Sequence, residues 1–124
     1  MNIPQDLKYT KTHEWIKIEG NKVRVGITDF AQHEITDVVH VELPENGKIV
    51  KKAAPAVVVE SVKSAFDIYS PVSGKIVEIN ENLMSSPELI NQSPYENGWL
   101  FVVEFTNNGE FSDLLSADDY KKII

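Results

Sequence analysis

Short segments that alternate between apolar and polar residues, with turn residues between them, dominate this sequence. His13 to Glu19 is followed by Gly20-Asn21 and then by Lys22 to Ile27, and Val38 to Leu43 precedes Pro44-Glu45-Asn46-Gly47. A period of two indicates strands that bury one face, and Gly, Asn and Pro favour turns. The pattern therefore predicts short antiparallel strands.

The middle third of the chain continues this pattern. Residues 56–62, 66–69 and 75–79 each predict a strand, and the residues between them are typical of turns. We expect two consecutive hairpins here, the first of which spans residues 56–70. Trp99 to Phe105 predicts a further strand.

Two stretches predict short helices before the C-terminal region. In Thr28 to Ile35, Asp29 can cap the helix, with Gln32 three residues on. Ser86-Pro87-Glu88 is typical of a helix start, because Pro is favoured in the first turn. Both helices should be brief and lie on the surface.

The C-terminal segment, about residues 110–124, predicts one or two short helices packed on the sheet. It carries several large apolar residues, and Ser116 and Asp119 have the spacing of a capping box. Many strands with few helices indicate a small barrel or sandwich. A length of 124 residues suits one core, so we expect a single domain, 1–124.

Composition excludes several classes of function. Nineteen acidic against twelve basic residues give a net charge of -7, which repels nucleic acid and anionic membranes. Cysteine is absent, which excludes disulfides and thiolate metal sites. Residues 1–13 lack a signal-peptide pattern, and the longest apolar run, residues 53–59, is too short to cross a bilayer. We therefore expect a cytoplasmic protein.

Lys63 lies at the predicted tip of the first hairpin. Strong β-formers such as Val57-Val58-Val59 stiffen the stalk, while Ser61, Ser64 and Ala65 are small and leave the ammonium group open. An enzyme that acylates lysine needs such access. The plain alternative is a solvated lysine, because an amine of pKa about 10.4 is stable in water. The pattern alone leaves both readings open.

Two carboxylates accompany this lysine. A turn at residues 62–65 would set Glu60 opposite Asp67, and paired like charges cost a few tenths of a kcal/mol. Such a pair could be recognised by a modifying enzyme or could hold a cationic group. Two solvated acids on an exposed stalk fit the pattern equally well.

A different hypothesis is that the chain is itself an enzyme. It would use His13, His33 and His40 with nearby acids as a metal or general-base cluster. These histidines lack metal-ligand spacing, and the chain has neither a glycine-rich phosphate loop nor a nucleophile elbow. We therefore expect a chain that performs no catalysis itself.

Several blocks, in order along nearly the whole chain, resemble those of glycine cleavage H proteins. The blocks are residues 9–15 (YTKTHEW), 25–29 (VGITD), 37–39 (DVV), 41–44 (VELP), 60–63 (ESVK), 69–74 (YSPVSG), 87–91 (PELIN), 93–95 (SPY) and 98–99 (GW). The resemblance implies a mainly β, barrel-sandwich hybrid fold of the lipoyl/biotinyl type with a helical C-terminal extension. It also implies lipoate in amide linkage to Lys63.

The resemblance further implies a carrier that serves several enzymes. These are a PLP-dependent glycine decarboxylase, a tetrahydrofolate-dependent aminomethyltransferase and an FAD-containing dihydrolipoyl dehydrogenase. Attachment would need a lipoate ligase, or an octanoyltransferase with lipoyl synthase. The alternative is an H-like carrier that serves another lipoate-dependent pathway or relays lipoate.

Other carriers of the same class fit less well. Biotinyl domains typically flank their lysine with methionines, whereas Val62 and Ser64 stand here. Lipoyl domains of 2-oxoacid dehydrogenases are normally joined by a linker to a catalytic domain, and this chain has no linker-like segment.

By the same resemblance, Glu14, Asp67 and Thr12 would line a cleft for the loaded arm. Glu60 and Gly47 match positions used in recognition by lipoylating enzymes, although a plain turn glycine is an equal reading of Gly47. His33 receives no role, because some relatives place a cleft histidine one position later, where this chain has Glu34.

The sequence departs from the family at three notable positions. Thr36 and Ala53 replace glycines, and Phe66 is bulkier than the usual residue near the lysine. We expect the core fold to tolerate all three.

Overall fold

A computed structural model describes all residues, 1–124, and contains nine strands in two antiparallel sheets. The strands are β1 (Lys8–Tyr9), β2 (Glu14–Glu19), β3 (Lys22–Ile27), β4 (Val38–Glu42), β5 (Ile49–Val50), β6 (Pro55–Ser61), β7 (Ala65–Tyr69), β8 (Gly74–Ile79) and β9 (Phe101–Phe105). The helices are α1 (Asp29–Ile35), α2 (Asn82–Ser85), α3 (Leu89–Gln92), a 3-10 helix (Asn108–Phe111) and α4 (Ala117–Lys121). The longest, α1, has seven residues, and no helix could span a membrane.

The two sheets enclose one large apolar core. The six-stranded sheet has the order β1-β2-β3-β9-β8-β5, and the three-stranded sheet has the order β4-β6-β7. A cluster of 19 buried residues fills the core. The alternation predicted from sequence is visible in β6, where Val57, Val59 and Ser61 are buried and the residues between them are not. The expected mainly β architecture with short helices is confirmed.

The second predicted hairpin is wrong. β7 and β8 do not pair, because β7 ends the small sheet while β8 pairs with β5 and β9 in the large one. The connecting residues between them cross the core: Ser70 and Val72 are fully buried, and the Ser70 hydroxyl donates to the Val72 carbonyl at 2.7 Å. This buried segment therefore connects β7 of the small sheet to β8 of the large sheet.

The predicted cap of the first helix is also wrong by one residue. Thr28 is the N-cap of α1, and its hydroxyl accepts the Ala31 N–H at 3.2 Å. Asp29 lies in the first turn and accepts from the Gln32 amide at 2.7 Å. Both residue types cap helices well, so the local sequence alone does not choose between them.

The C-terminal segment packs on the edge of the large sheet. Ser116 caps α4 by accepting the Asp119 N–H at 3.2 Å, as the spacing predicted. A second apolar cluster joins α4 to the N-terminal segment and β2; its buried members are Ile3, Leu7, Tyr9, Trp15, Ala117 and Tyr120. The Tyr9 and Tyr120 rings stack with centroids 4.8 Å apart. The helical extension thereby supports the strand that begins at Glu14.

Candidate functional site

The tip of the β6–β7 hairpin is a tight turn organised by one serine. The Ser61 N–H donates to the Ser64 carbonyl at 2.8 Å, and the Ser61 hydroxyl accepts the Lys63 and Ser64 N–H groups, both at 3.2 Å. The Val62 N–H donates to the Asp37 carbonyl at 3.1 Å and ties the turn to the residue before β4. The backbone beneath Lys63 is therefore fixed.

The Lys63 side chain itself is free. It is exposed, and its ammonium group takes part in no hydrogen bond or ion pair. The three ion pairs in the protein use Arg24, Lys52 and Lys122. No neighbouring acid holds the Lys63 amine in an ion pair, so the amine is accessible for covalent attachment of an acyl group.

The expected pairing of Glu60 with Asp67 is wrong. The turn begins one residue earlier than the sequence suggested, so Glu60 pairs with Ala65 and Val58 with Asp67. The two acids are diagonal neighbours on the outer face of the small sheet, where contact is weaker than for a direct pair. Glu60 is half-buried, and on its other side it lies opposite His40 of β4.

A cleft of about 450 Å³ opens at the other end of β7. It forms where the loop between β1 and β2, the loop before β6, the end of β7 and the segment before α4 meet. Its lining residues are Thr10, Lys11, Thr12, Glu14, Lys52, Ala53, Tyr69, Ser70, Pro71, Asp113 and Leu114.

Glu14 is the buried carboxylate of this cleft, with only 1% of its surface exposed. Its Oε1 accepts from the hydroxyls of Thr10 at 2.6 Å and Thr12 at 2.5 Å. Its Oε2 is buried and has no hydrogen-bond partner. Burial raises the pKa of Glu14, and the two hydroxyls, with smaller contributions from the backbone of Tyr69 and of Glu14 itself, partly offset that rise. An unpaired buried acceptor costs free energy, so it favours a donor or cation that enters the cleft.

Two of the other charged residues in the cleft wall, Lys52 and Asp113, are paired with each other, whereas Lys11 has no ion pair. The Lys52 ammonium contacts Asp113 Oδ1 at 2.5 Å and donates to the Glu110 carbonyl at 2.7 Å. The hydrogen bond from Lys52 lowers the pKa of Asp113 below its ordinary value. Glu14 is therefore the buried acidic group of the lining, and its Oε2 still has an acceptor position to offer.

One face of β7 connects the tip to the cleft. Ala65, Asp67 and Tyr69 point the same way because side chains alternate along a strand, and β7 is the edge of its sheet. The four steps from Ala65 to Tyr69 span about 13 Å. The structure thus brings Thr12 and Glu14 together and leaves Asp67 exposed between tip and cleft, outside the lining.

Gly47 lies in a turn remote from the hairpin tip, after the end of β4 that pairs with Val58. Its φ of +90° requires the left-handed region that favours glycine, and its N–H donates to the Ile76 carbonyl at 2.7 Å. Nothing lies within 4 Å of where its Cβ would stand. The turn itself explains this glycine.

The three histidines lie apart along the fold. His13 precedes β2, His33 lies in α1 and His40 lies in β4. No group of three or more His, Cys, Asp or Glu side chains is arranged to hold a metal ion.

Sequence reasoning missed several residues of the cleft. Thr10 could have been found, because the spacing Thr10-Lys11-Thr12 sets two hydroxyls around the same carboxylate. Lys52 and Asp113 are 61 residues apart and carry no local signal.

Comparisons with known proteins agree with this geometry. The family model described as glycine cleavage H-protein matches residues 7–124. A glycine cleavage system H protein of Endomicrobium trichonymphae is 76% identical over 124 residues, covering all of both chains. One from Halalkalibacterium halodurans is 54% identical and covers 99% of this chain and 96% of that relative. The crystal structure of a glycine cleavage system H protein from Mycobacterium marinum has a TM-score of 0.89 at 40% identity, with 97% of each chain covered.

Two antiparallel sheets, the smaller of which contains a hairpin that presents a free lysine, define the class of lipoyl-type barrel-sandwich proteins. The chain belongs to the glycine cleavage H-protein family. Its role is that of a lipoyl carrier component in the glycine cleavage system.

Proposed function

We propose that Lys63 carries lipoate in amide linkage and that the chain acts as one carrier unit without catalysis of its own. The observation that carries this proposal is the pairing of an unengaged lysine at a stiff tip with a buried, half-satisfied carboxylate in a nearby cleft. The lipoyl group supplies a dithiolane that accepts and releases an aminomethyl group and two electrons. The residues of this chain bind, orient and shelter the aminomethyl group on the lipoyl arm, which is the cargo.

Glu14 is the proposed anchor for the cargo amine. Its Oε2 has a vacant acceptor position, and a charge-assisted hydrogen bond from an ammonium group would fill it. Thr12 holds the other carboxylate oxygen and fixes the side chain. A lysine with an amide-linked lipoyl chain is comparable in length to the path along β7. Asp67, exposed halfway along that path, would attract the cationic cargo toward the cleft.

Glu60 is the proposed contact for the enzyme that attaches lipoate. It lies three residues before Lys63 on the outward face of the small sheet, where an enzyme that grips the tip can reach it. Gly47 lies in a distant turn, and its proposed part in lipoylation is to preserve the backbone shape of that turn. The enzyme would be a lipoate ligase, or an octanoyltransferase acting with lipoyl synthase.

Three partner enzymes complete the proposed cycle. A PLP-dependent glycine decarboxylase loads the aminomethyl group, a tetrahydrofolate-dependent aminomethyltransferase removes it, and an FAD-containing dihydrolipoyl dehydrogenase reoxidises the carrier. We place this cycle in the cytoplasm, since the relatives named above are bacterial components of the same system.

Intact mass tests the attachment. In a host able to lipoylate proteins, the wild-type chain should gain one lipoyl increment, and Lys63→Arg should gain none. Lys48→Arg is the matched control, because Lys48 is an exposed lysine in another turn. Arginine keeps the charge but its guanidinium is not acylated by such enzymes. Bare wild-type protein, or a lipoyl increment on Lys63→Arg, would disprove the proposal.

A further inference from the structure

A closed ring of three hydrogen bonds includes His13, which belongs to the loop of residues 10–14 at the cleft. The Thr28 N–H donates to the His13 carbonyl at 3.1 Å, the Thr28 hydroxyl lies 2.7 Å from the Tyr120 hydroxyl, and the Tyr120 hydroxyl lies 2.8 Å from His13 Nδ1. Tyr120 and Thr28 are fully buried. The three residues come from α4, the cap of α1 and the loop before β2, so the ring joins distant parts of the chain.

His13 is the member of this ring that adjoins lining residues of the cleft along the chain. It stands between Thr12 and Glu14, and its φ of 73° is in the left-handed region, which is unusual for a residue other than glycine. Its N–H donates to the Thr10 carbonyl at 3.2 Å, so His13 also closes the loop that carries the two threonine hydroxyls. A backbone held in a disfavoured region persists only where its surroundings fix it.

We infer that the Tyr120 hydroxyl is a positioning group for the cleft: through His13 it holds the loop of residues 10–14 so that Glu14 keeps its half-satisfied, cargo-binding geometry. This inference rests on the proposed function for its consequence, which is retention of the cargo. Tyr120 itself does not line the cleft.

Two further observations support the link. Burial raises the pKa of Tyr120 to about 12, and the Glu14 carboxylate contributes to that rise, which places the two groups within electrostatic reach. The His13 ring also packs at 4.9 Å from Phe30 of α1, so its Nδ1 is aimed at Tyr120 by packing as well as by the hydrogen bond. The loop therefore depends on α4 for its shape.

The first test needs no lipoate. In unmodified protein, the titration of the Glu14 carboxyl carbon can be followed by ¹³C NMR in the wild type and in Tyr120→Phe. Loss of the hydroxyl should loosen the loop, hydrate Glu14 and move its pKa down toward the ordinary value. Tyr9→Phe is the matched control, because Tyr9 stacks on Tyr120 but its hydroxyl donates to the Pro4 carbonyl at 2.6 Å, away from the loop.

The second test measures the cargo. In lipoylated protein loaded with the aminomethyl group, the rate of spontaneous cargo loss should rise about fivefold in Tyr120→Phe, the effect of one neutral hydrogen bond. Tyr9→Phe should lose cargo at the wild-type rate even if its melting temperature falls as far. Equal rates, or an equal Glu14 titration, in Tyr120→Phe and wild type would overturn the inference, as would a Tyr9→Phe effect of the same size.

A second variant keeps the inference testable if Tyr120→Phe does not fold. His13→Asn removes the ring nitrogen while keeping a residue type that tolerates positive φ, and it leaves α4 intact. It should reproduce both effects, and the double variant should show no further increase, because both changes break one contact. A wild-type chain that never takes lipoate would refute the proposed function, whereas the Glu14 titration would still decide the link.

Discussion

The hairpin tip and the cleft differ in how tightly their functional groups are held. At the tip, the turn backbone is fixed by Ser61, but the Lys63 side chain is exposed and unbonded. In the cleft, Glu14 is 1% exposed, and two hydroxyls fix one of its oxygens. A group that many enzymes must reach gains from freedom, whereas a group that must hold a small cation gains from being arranged beforehand.

The difference also appears in what each region depends on. The tip needs only its own turn and the Asp37 carbonyl. The cleft needs the strand of Glu14, the loop before it and the C-terminal segment. Damage to the packing around β2 should therefore impair cargo protection while the tip remains a substrate for lipoylation.

Gly26→Ala should give the largest effect. Gly26 pairs with Trp15, and a Cβ there would lie 2.5 Å from the Trp15 ring, which is buried and donates to the Pro94 carbonyl at 2.9 Å. Overpacking a fixed indole should lower the free energy of unfolding by about 2 to 3 kcal/mol. Urea denaturation measures this loss, and the folded fraction should still accept lipoate on Lys63.

Gly47→Asn is the control for Gly26→Ala. Gly47 has open space around it, and asparagine tolerates its positive φ better than most residues, so the loss should stay below about 1 kcal/mol. If the two variants were equally stable, the tight approach of Trp15 to Gly26 would not be a constraint on the fold.

Glu14→Gln should separate stability from function. The loss of a charge-assisted hydrogen bond should speed cargo loss at least about tenfold. Removal of a buried, incompletely paired charge should leave the free energy of unfolding at pH 7 unchanged or raise it by up to about 1 kcal/mol. The rate of cargo loss and the free energy of unfolding in urea should be measured on the same preparations. A variant that is less stable than the wild type but loses cargo at the wild-type rate would contradict this prediction.

The pH dependence of the free energy of unfolding tests whether the pKa of Glu14 is raised. Because its pKa in the folded protein is raised, the folded state binds the proton more tightly than the unfolded state does. The contribution of Glu14 to stability is therefore largest below the ordinary glutamate pKa and is lost as pH rises through the raised value. Glu14→Gln should remove that part of the decline, and identical pH profiles would argue against a raised pKa.

Glu60→Gln is the complementary variant at the tip. It should slow lipoylation. The fraction of protein that does become lipoylated should lose cargo at the wild-type rate, because Glu60 does not line the cleft. Mass spectrometry over time measures the rate of modification. A change in cargo loss with normal lipoylation would reverse the assignment of the two acids.

Much of this arrangement could be predicted from local sequence, and the rest depends on distant contacts. Alternation identified most strands, and the spacing of Ser116 and Asp119 identified the start of α4. The turn at residues 70–73 appeared to close a hairpin, because no local pattern reveals that Val72 is buried and crosses the core. The Lys52–Asp113 pair depends on two segments that meet only in the folded chain.

Thr36 and Ala53, where the resemblance implies glycine, both have backbone conformations that favour glycine. Thr36 has φ 70° and ψ -153°, and Ala53 has φ 69°. Thr36 precedes Asp37, whose carbonyl holds the tip, and Ala53 lines the cleft. Each region therefore contains a residue other than glycine in a strained backbone conformation, and the cleft loop adds His13.

Returning these residues to glycine should give the smallest and most regular effects. Thr36→Gly should raise the free energy of unfolding by about 1 kcal/mol, because a β-branched residue at positive φ is costly. Ala53→Gly should raise it by about 0.5 kcal/mol, because positive φ costs alanine less than it costs threonine and because glycine adds entropy to the unfolded chain. Urea denaturation of both variants measures the difference.

Ala54→Gly is the matched control for both glycine variants. Ala54 adjoins Ala53 but is not among the residues with positive φ, so glycine there brings only the entropic cost and should lower stability by about 0.5 to 1 kcal/mol. Opposite signs at adjacent alanines would show that backbone strain, and not the loss of a methyl group, sets the outcome. If Ala53→Gly and Thr36→Gly were as destabilising as Ala54→Gly, the cleft and the tip would not share this strain, and the contrast between them would rest on their side chains alone.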